Sequence, residues 1–222
     1  SHMAATVYNN RAYVIGGLDK QVGIECQVYT SENNSWLFEF PSLPKGRFNS
    51  VCFVYRDSLY VFGGTDNSSN MNEIVRYDLS TQNSGEWTTI AKVNEANQRG
   101  GVAFVVEDKV YAGLGEKSNG IRNGFYVSSD SLTKWELIPS IPAQLGVISS
   151  GVYDEQKKSF FMIDNDGKIW EYNLTTEQWT SRSLWIRMKN YHMFMLDGSI
   201  YILGQDIYQK NKFTVYNPIW DN

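Results

Sequence analysis

Ser50-Val51-Cys52-Phe53-Val54-Tyr55, Arg56-Asp57-Ser58, Leu59-Tyr60-Val61-Phe62, Gly63-Gly64: this stretch decides the fold. An apolar, β-branched run, a polar turn and a second apolar run closing on two glycines read as a hairpin. Beyond a polar loop, Glu73-Ile74-Val75-Arg76-Tyr77-Asp78 alternates with strand period, and Trp87-Thr88-Thr89-Ile90 supplies a fourth strand. The unit is a four-stranded meander, and it recurs. Tryptophans stand at Trp36, Trp87, Trp135, Trp179 and Trp220, in steps of 51, 48, 44 and 41 residues. Apolar-aromatic-apolar triplets repeat beside them at Ala12-Tyr13-Val14, Leu59-Tyr60-Val61, Val110-Tyr111-Ala112, Phe160-Phe161-Met162 and Ile200-Tyr201-Ile202. Both markers divide the chain at approximately 4–46, 47–97, 98–143, 144–186 and 187–222. A period of 40 to 50 residues with strand-like runs predicts blades of a β-propeller, in which each small sheet needs neighbours to bury both its faces. The expectation is an all-β propeller of about five four-stranded blades in a single domain over 4–222, without helical periodicity.

Composition narrows the function classes. The 222 residues are 42% hydrophobic and 14% aromatic, enough for a sizeable core, and no apolar run approaches the roughly 20 residues of a membrane span. A net charge of -4 with interspersed signs argues against nucleic acid, which demands a concentrated basic stripe. Ser1-His2-Met3 reads as a tag remnant, which leaves His192 as the one native histidine. Cys26 and Cys52 sit in different units and read as small buried apolar residues. Three glycosylation acceptor triplets, beginning at Asn33, Asn67 and Asn173, are weak evidence of secretion in so Asn/Ser-rich a chain. A cytoplasmic compartment is slightly favoured, and an extracytoplasmic one goes with a sugar-binding role.

Tyr13-Val14-Ile15-Gly16-Gly17 and Tyr60-Val61-Phe62-Gly63-Gly64, each followed by a strand tyrosine (Tyr29, Tyr77) and a tryptophan (Trp36, Trp87), resemble kelch repeats. The resemblance runs through the chain but decays: the glycine pair becomes Leu114-Gly115, Asp164-Asn165 and Gly204-Gln205. The pair serves a backbone conformation that glycine adopts cheaply, and Asp-Asn should still tolerate a left-handed conformation. Kelch propellers usually carry six or seven blades, so this chain is either a closed ring of five or part of a larger propeller. Closure into a monomeric ring is favoured, because an open ring exposes two blade faces and unpaired edges. In the last unit four residues separate Tyr216 from Trp220 where the second has ten, so its outer strand is stunted or cut off.

Catalytic motifs are wanting. A nucleophilic hydrolase needs a base beside the nucleophile, and a metal hydrolase needs clustered ligands; one native histidine largely closes both routes. Gly146-Val147-Ile148-Ser149-Ser150-Gly151 lacks nucleophile-elbow spacing, and Gly113-Leu114-Gly115 continues without a phosphate-loop spacing. Asp164-Asn165-Asp166-Gly167 resembles the start of a calcium loop, but the twelfth position is Thr175, so a tight turn is the better reading. Ser128 to Trp135 is similar to the Asp-box of sialidase-type propellers, with Leu132 at the glycine position. That box is a structural turn. Neither metal nor cofactor is expected. Trp185, outside the repeat position, is the candidate exposed aromatic.

In kelch domains of ubiquitin-ligase adaptors, an arginine before the first strand points into the channel mouth and binds acidic peptides. The resemblance implies equivalents at Arg47, Arg99 and Arg187, which stand 13, 12 and 14 residues before Tyr60, Tyr111 and Tyr201. Asn49 matches a ligand-contacting position of that family, with Gly101 in its place in the third unit, and Tyr191 and His192 could flank the cluster. Repeated guanidiniums around one mouth would focus positive potential suited to carboxylate or phosphate, although each arginine could equally satisfy loop carbonyls. The loops 18–23, 65–71 and 117–122 would form the outer wall. The expected function is therefore a non-enzymatic interaction module that binds a partner peptide or loop, acidic in character, on this face. The alternative is an extracytoplasmic carbohydrate-binding protein similar to bacterial kelch sialic acid mutarotases, with Glu25, Glu73 and Asp164 as nearest acid-base candidates.

Overall fold

The computed structural model describes residues 2–81, 84–129, 131–185, 188–206 and 208–216, the side chains of 38 and 183–185 excepted. They form two compact units, Ser1–Leu137 and Ile138–Asn222.

The first unit holds three antiparallel meanders. Sheet one is β1 (Ala4–Tyr8), β2 (Arg11–Ile15), β3 (Cys26–Thr30) and β4 (Ser35–Phe40). Sheet two is β5 (Val51–Tyr55), β6 (Ser58–Phe62), β7 (Glu73–Asp78) and β8 (Thr88–Lys92). Sheet three is β9 (Val102–Val106), β10 (Lys109–Gly113), β11 (Phe125–Ser128) and a two-residue β12 (Glu136–Leu137). In the second unit, sheet four is β13 (Ile148–Asp154), β14 (Ser159–Asp164), β15 (Lys168–Asn173) and β16 (Gln178–Trp185). Sheet five is β17 (Lys189–Leu196), β18 (Ser199–Gln205) and β19 (Asn211–Tyr216); a fourth strand around Trp220 would fall outside the described residues. The only helical pieces among the described residues are single 3-10 turns, Leu79–Thr81 and Asn94–Ala96. The all-β reading and the placement of the hairpins agree with the sequence, and no helix is long and apolar enough to cross a membrane.

Strand alternation gives each sheet two faces, and stacking buries them. Between sheets one and two, Tyr13, Ile15, Cys26 and Val28 meet Cys52, Leu59, Val61 and Tyr77. Phe53, Tyr60, Phe62 and Ile74, on the other face of sheet two, meet Val110, Ala112 and Leu132 of the third. In the second unit Phe161, Ile163 and Ile169 pack on Tyr191, Met193, Ile200 and Ile202. Cys26 and Cys52 are buried free thiols, as their composition suggested.

The repeated tryptophan locks one sheet to its predecessor. Trp87 packs at a tilt against Tyr77 of its own sheet, and its Nε1 donates to the Pro41 carbonyl just past β4 at 2.8 Å. Trp135 sits edge-on to Phe62 of sheet two at 5.3 Å. A second repeated link uses the last residue of the first strand. The Tyr8 hydroxyl donates to the Asp57 carboxylate, and the Tyr55 hydroxyl to the Asp108 carbonyl at 3.1 Å, each in the β-hairpin turn of the following sheet.

The glycine pair has two jobs. Gly16 and Gly63 both adopt φ of +63°, and a Cβ on Gly16 would lie 2.3 Å from the Arg47 carbonyl oxygen. A Cβ on Gly63 would lie 2.5 Å from the carbonyl oxygen of Ala96. The pair is thus required by close approach of the chain entering the next sheet as well as by the left-handed backbone. Leu114 keeps φ of +63° at the equivalent position of sheet three, and Leu132, at the glycine position of the Asp-box-like turn, has φ of +60°. The fourth unit does without the left-handed backbone. Neither Asp164 nor Asn165 is left-handed; Asp164 ends β14 instead, and its carboxylate receives the amides of Asp166 and Lys168 and the Trp170 indole N–H. The turn expected at Asp164–Gly167 is present, closed by the Gly167 amide on the Asp164 carbonyl at 3.0 Å.

Candidate functional site in the loops entering the sheets

The segments before β5 and β9 run beside the loops that follow the glycine pair, and backbone pairing fixes their register. Gly17 N–H donates to the Arg47 carbonyl at 2.9 Å, and Gly64 N–H to the Gln98 carbonyl at 2.8 Å. Phe48 then bridges Thr65, and Arg99 bridges Glu116. Arg47 therefore corresponds to Gln98, and Phe48 to Arg99. Arg47 and Arg99 are not equivalent, a correction of one residue that separates their environments.

Arg47 is fully buried, with 0% of its side chain exposed. Its Nη1 donates to the Gly63 carbonyl at 3.1 Å and its Nη2 to a Glu73 carboxylate oxygen at 3.3 Å, while the other oxygen of Glu73 lies 3.5 Å from Lys92 Nζ. Burial pulls the guanidinium down from its usual pKa and Glu73 pulls it back up. Gln98 is equally buried and plays the same part in neutral form. Its Oε1 accepts from Gly115 N–H at 3.1 Å and from Asn123 Nδ2 at 3.0 Å, and its own Nε2 donates to the Gly100 carbonyl. Both side chains tie an entering loop to the loop after the second strand of the same sheet. That is the carbonyl-satisfying role open to a many-donor side chain.

Arg99, one residue on, faces solvent. Its side chain is 45% exposed and grips Glu116 through two bonds, Nε to Oε2 at 3.2 Å and Nη2 to Oε1 at 2.9 Å. Asn49 is half-buried with φ of +49°; its amide donates to the His2 carbonyl and its carbonyl accepts from Gly100 N–H at 2.6 Å. The register aligns it with Gly100 rather than Gly101. The other expected site residues lie in the second unit. Tyr191 is buried in the core between sheets four and five, and its oxygen accepts from Met188 N–H at 3.1 Å. His192 is exposed on the opposite face of β17. Arg187 lies outside the described residues, as does the Trp185 side chain.

The outer loops are each pinned by a backbone bridge: Leu18 to Val22, Thr65 to Asn70 and Glu116 to Arg122. In the middle loop the Asp66 carboxylate accepts from Ser68 and Ser69 and pairs with Lys45 at 2.8 Å, contacts that hold it far below the usual carboxylate range. Asn70 Nδ2 reaches across to the Glu116 carbonyl at 2.9 Å and steadies the strand under the Arg99 pair. Beside the first loop, a cleft of about 620 Å³ is bounded by Met3, Val14, Lys20, Glu25 and Gln27. Of the acid-base candidates, Glu73 and Asp164 are engaged as described, and Glu25 is exposed. Among the described residues, no three His, Cys, Asp or Glu side chains are grouped to hold a metal ion.

Gln98, Glu116, Asn70 and Asn123 were missed in the sequence. Gln98 had a signal: it stands 13 residues before Tyr111, the same distance as Arg47 before Tyr60.

Comparison with known proteins agrees with the repeat and the fold. A family model described as the Kelch motif matches residues 46–94, the second repeat. Kelch-like protein 36 of Mus musculus is 26% identical over 161 residues, covering 67% of this chain and 25% of that protein. Kelch repeat and BTB domain-containing protein 1 of Ectromelia virus (strain Moscow) is 25% identical over 227 residues, 96% of this chain and 39% of that protein. The chain thus spans between a quarter and two fifths of the length of these relatives. A solved structure titled "Structure of YjhT" superposes with a TM-score of 0.78 at 16% identity, over 98% of this chain and 84% of that one. Repeat, motif and fold together support a kelch-repeat β-propeller.

Proposed function

We propose that this chain is a non-enzymatic protein-interaction module that recognises an acidic peptide or loop on the face bearing the loops that enter sheets two and three. The observation that carries the reading is the Arg99–Glu116 pair, a bidentate guanidinium displayed to solvent on a backbone bridge. An exposed ion pair contributes at most about 1 kcal/mol, so a partner carboxylate can take the place of Glu116 at little cost and keep the same two-bond geometry. Gly100, whose amide donates to the Asn49 carbonyl, has open space where a Cβ would stand, which leaves room for a peptide backbone to approach. Arg47 serves this face indirectly, by fixing the loop. The similarity to kelch-like and BTB-kelch proteins supports a protein partner over a sugar, and the contacts of Glu73 with Arg47 and of Asp164 with Trp170 give these carboxylates structural roles.

The test is titration of a short fluorescent acidic peptide. Arg99→Ala should weaken binding by about 1 to 3 kcal/mol, while Glu116→Gln, which frees the guanidinium, should strengthen it. Added salt should weaken the wild-type complex. Binding that ignores Arg99→Ala and Glu116→Gln alike would sink the proposal.

A further inference from the structure

Two Asn-Gly pairs, Asn119-Gly120 and Asn123-Gly124, stand four residues apart in and just after the loop 117–122. An asparagine followed by glycine is prone to lose its side-chain amide: the glycine nitrogen attacks the asparagine Cγ, ammonia leaves, and water opens the resulting succinimide. The attacking nitrogen and the carboxamide carbon have to meet, and glycine has no Cβ to obstruct them. In sequence the two pairs are equally reactive. The structure separates them.

Asn119 and Gly120 are exposed at the loop tip. The Asn119 Oδ1 accepts from the Ile121 N–H at 3.1 Å, which folds the carboxamide back across the Gly120 residue and draws electron density from its carbon. Gly120 has φ of +76°, and a Cβ there would meet only Glu116 Oε1, at 4.0 Å, so the residue has space to turn. One turn bond, from Gly120 N–H to the Lys117 carbonyl at 2.9 Å, has to open before the nitrogen attacks.

Asn123 is the opposite case. It is 0% exposed, and its Nδ2, the nitrogen that would leave, donates to the Glu95 carbonyl at 2.7 Å and to Gln98 Oε1 at 3.0 Å. Its Oδ1 accepts from Gly124 N–H at 2.9 Å and from the Tyr126 hydroxyl at 3.3 Å, so the attacking nitrogen is aimed at the oxygen and not at the carbon. A Cβ on Gly124 would lie 2.6 Å from the Tyr126 ring and 2.7 Å from Leu137, so the peptide is wedged in place. Burial also keeps out the water that hydrolysis consumes.

We propose that Asn119 is a site of spontaneous deamidation and that the fold protects Asn123 from the same reaction. The bond between the Gly120 nitrogen and Asn119 Cγ forms, the Cγ–Nδ2 bond breaks, and ammonia departs with the proton of the attacking amide. One water then opens the ring to aspartate or isoaspartate. The product adds one negative charge to a chain of formal charge -4. That charge arises next to Gly120, whose Cβ position lies 4.0 Å from the Glu116 oxygen that Arg99 Nη2 holds. The isoaspartyl form also inserts a main-chain atom into the turn that Lys117 N–H closes on the Ile121 carbonyl. On the acidic-peptide reading, on which this consequence alone rests, deamidation weakens the pull of the Arg99 face on a partner carboxylate.

The test ages the folded chain in warm, mildly alkaline buffer and digests samples at mildly acidic pH, so that digestion adds no deamidation. Cleavage after Lys117 and Arg122 puts the two asparagines on separate peptides, each followed by mass, with isoaspartyl methyltransferase as the probe for isoaspartate. The Asn119 peptide should gain the amide-to-carboxyl mass difference while Asn123 stays intact, and in urea both should react at similar rates. A folded chain in which Asn119 stays intact, or in which Asn123 reacts as fast, overturns the proposal. Asn119→Asp should bind the fluorescent acidic peptide several-fold more weakly than wild type, and equal binding removes the consequence for the Arg99 face. A wild-type chain that binds no such peptide sinks the acidic-peptide reading, and the mass measurement still decides the modification.

Discussion

The loops entering sheets two and three are built alike in backbone and differ in the side chains they bury. In one, Arg47 is sealed against Gly63 and Glu73; in the other, Gln98 holds Gly115 and Asn123 without any charge. One residue further on, the order of polarity reverses: Phe48 is buried in the first loop, and Arg99 is exposed in the second. An arginine's role in this repeat is therefore fixed by its register against the glycine pair and not by its being an arginine near the first strand. A shift of one residue carries the guanidinium from the inside of the loop to its surface.

The contrast presupposes that the sheets of the first unit are locked together, and the largest expected effect tests that lock. Trp87→Ala should destabilise by about 3 to 5 kcal/mol, since it removes a large inter-sheet side chain and its hydrogen bond to Pro41. Trp36→Ala, which has no preceding sheet beneath it among the described residues, should cost less than about 1 kcal/mol in dilute solution. Both are read by urea denaturation, and equal losses would mean that the two positions are packed alike.

The equivalence of Gln98 with Arg47 comes next in size. Gln98→Ala should cost about 2 kcal/mol, because Gly115 N–H and the Asn123 amide lose a buried acceptor. Neutral behaviour would mean that the loop is held by its backbone alone.

Thiol chemistry sharpens the comparison further. Burial pushes the Cys26 thiol up to about 12, and Cys52, buried beside it in the same core, is raised as well. Neither should react with an alkylating reagent at neutral pH except through opening of the core. Labelling should accelerate in Arg47→Ala and stay slow in Arg99→Ala. The smallest effect is on pH dependence. A raised thiol pKa leaves the folded state protonated where the unfolded chain ionises, so stability is intact below about pH 8.5 and declines from there toward about 12. Replacing both cysteines by alanine should flatten that alkaline decline.

Strand periodicity and the recurrent tryptophan made the sheets legible, because alternation and aromatic anchoring are local signals. The hairpins fall where Ser50–Phe62 and its equivalents placed them. Asp164-Asn165, which could tolerate a left-handed backbone, does not use one: the Asp164 carboxylate caps the following turn and binds Trp170, a contact six residues away that no pattern advertised. The candidate site was legible only in part. Distance from the strand tyrosine brought Arg47 and Arg99 together by composition, whereas the interior position is decided by pairing with the glycine loop of the preceding sheet. Tyr191 read as a flanking ligand group because a strand start offers both faces, and the sheet turned that one inward.

The direct test of the account is equilibrium denaturation of Arg47→Ala and Arg99→Ala side by side. Breaking the buried Arg47–Glu73 contact should cost about 3 kcal/mol, at the lower end for buried pairs because Lys92 stays near the carboxylate. Losing the exposed Arg99–Glu116 pair should cost no more than about 1 kcal/mol. Equal losses, or a larger one at Arg99, would contradict the assignment of Arg47 to the scaffold and Arg99 to the binding surface.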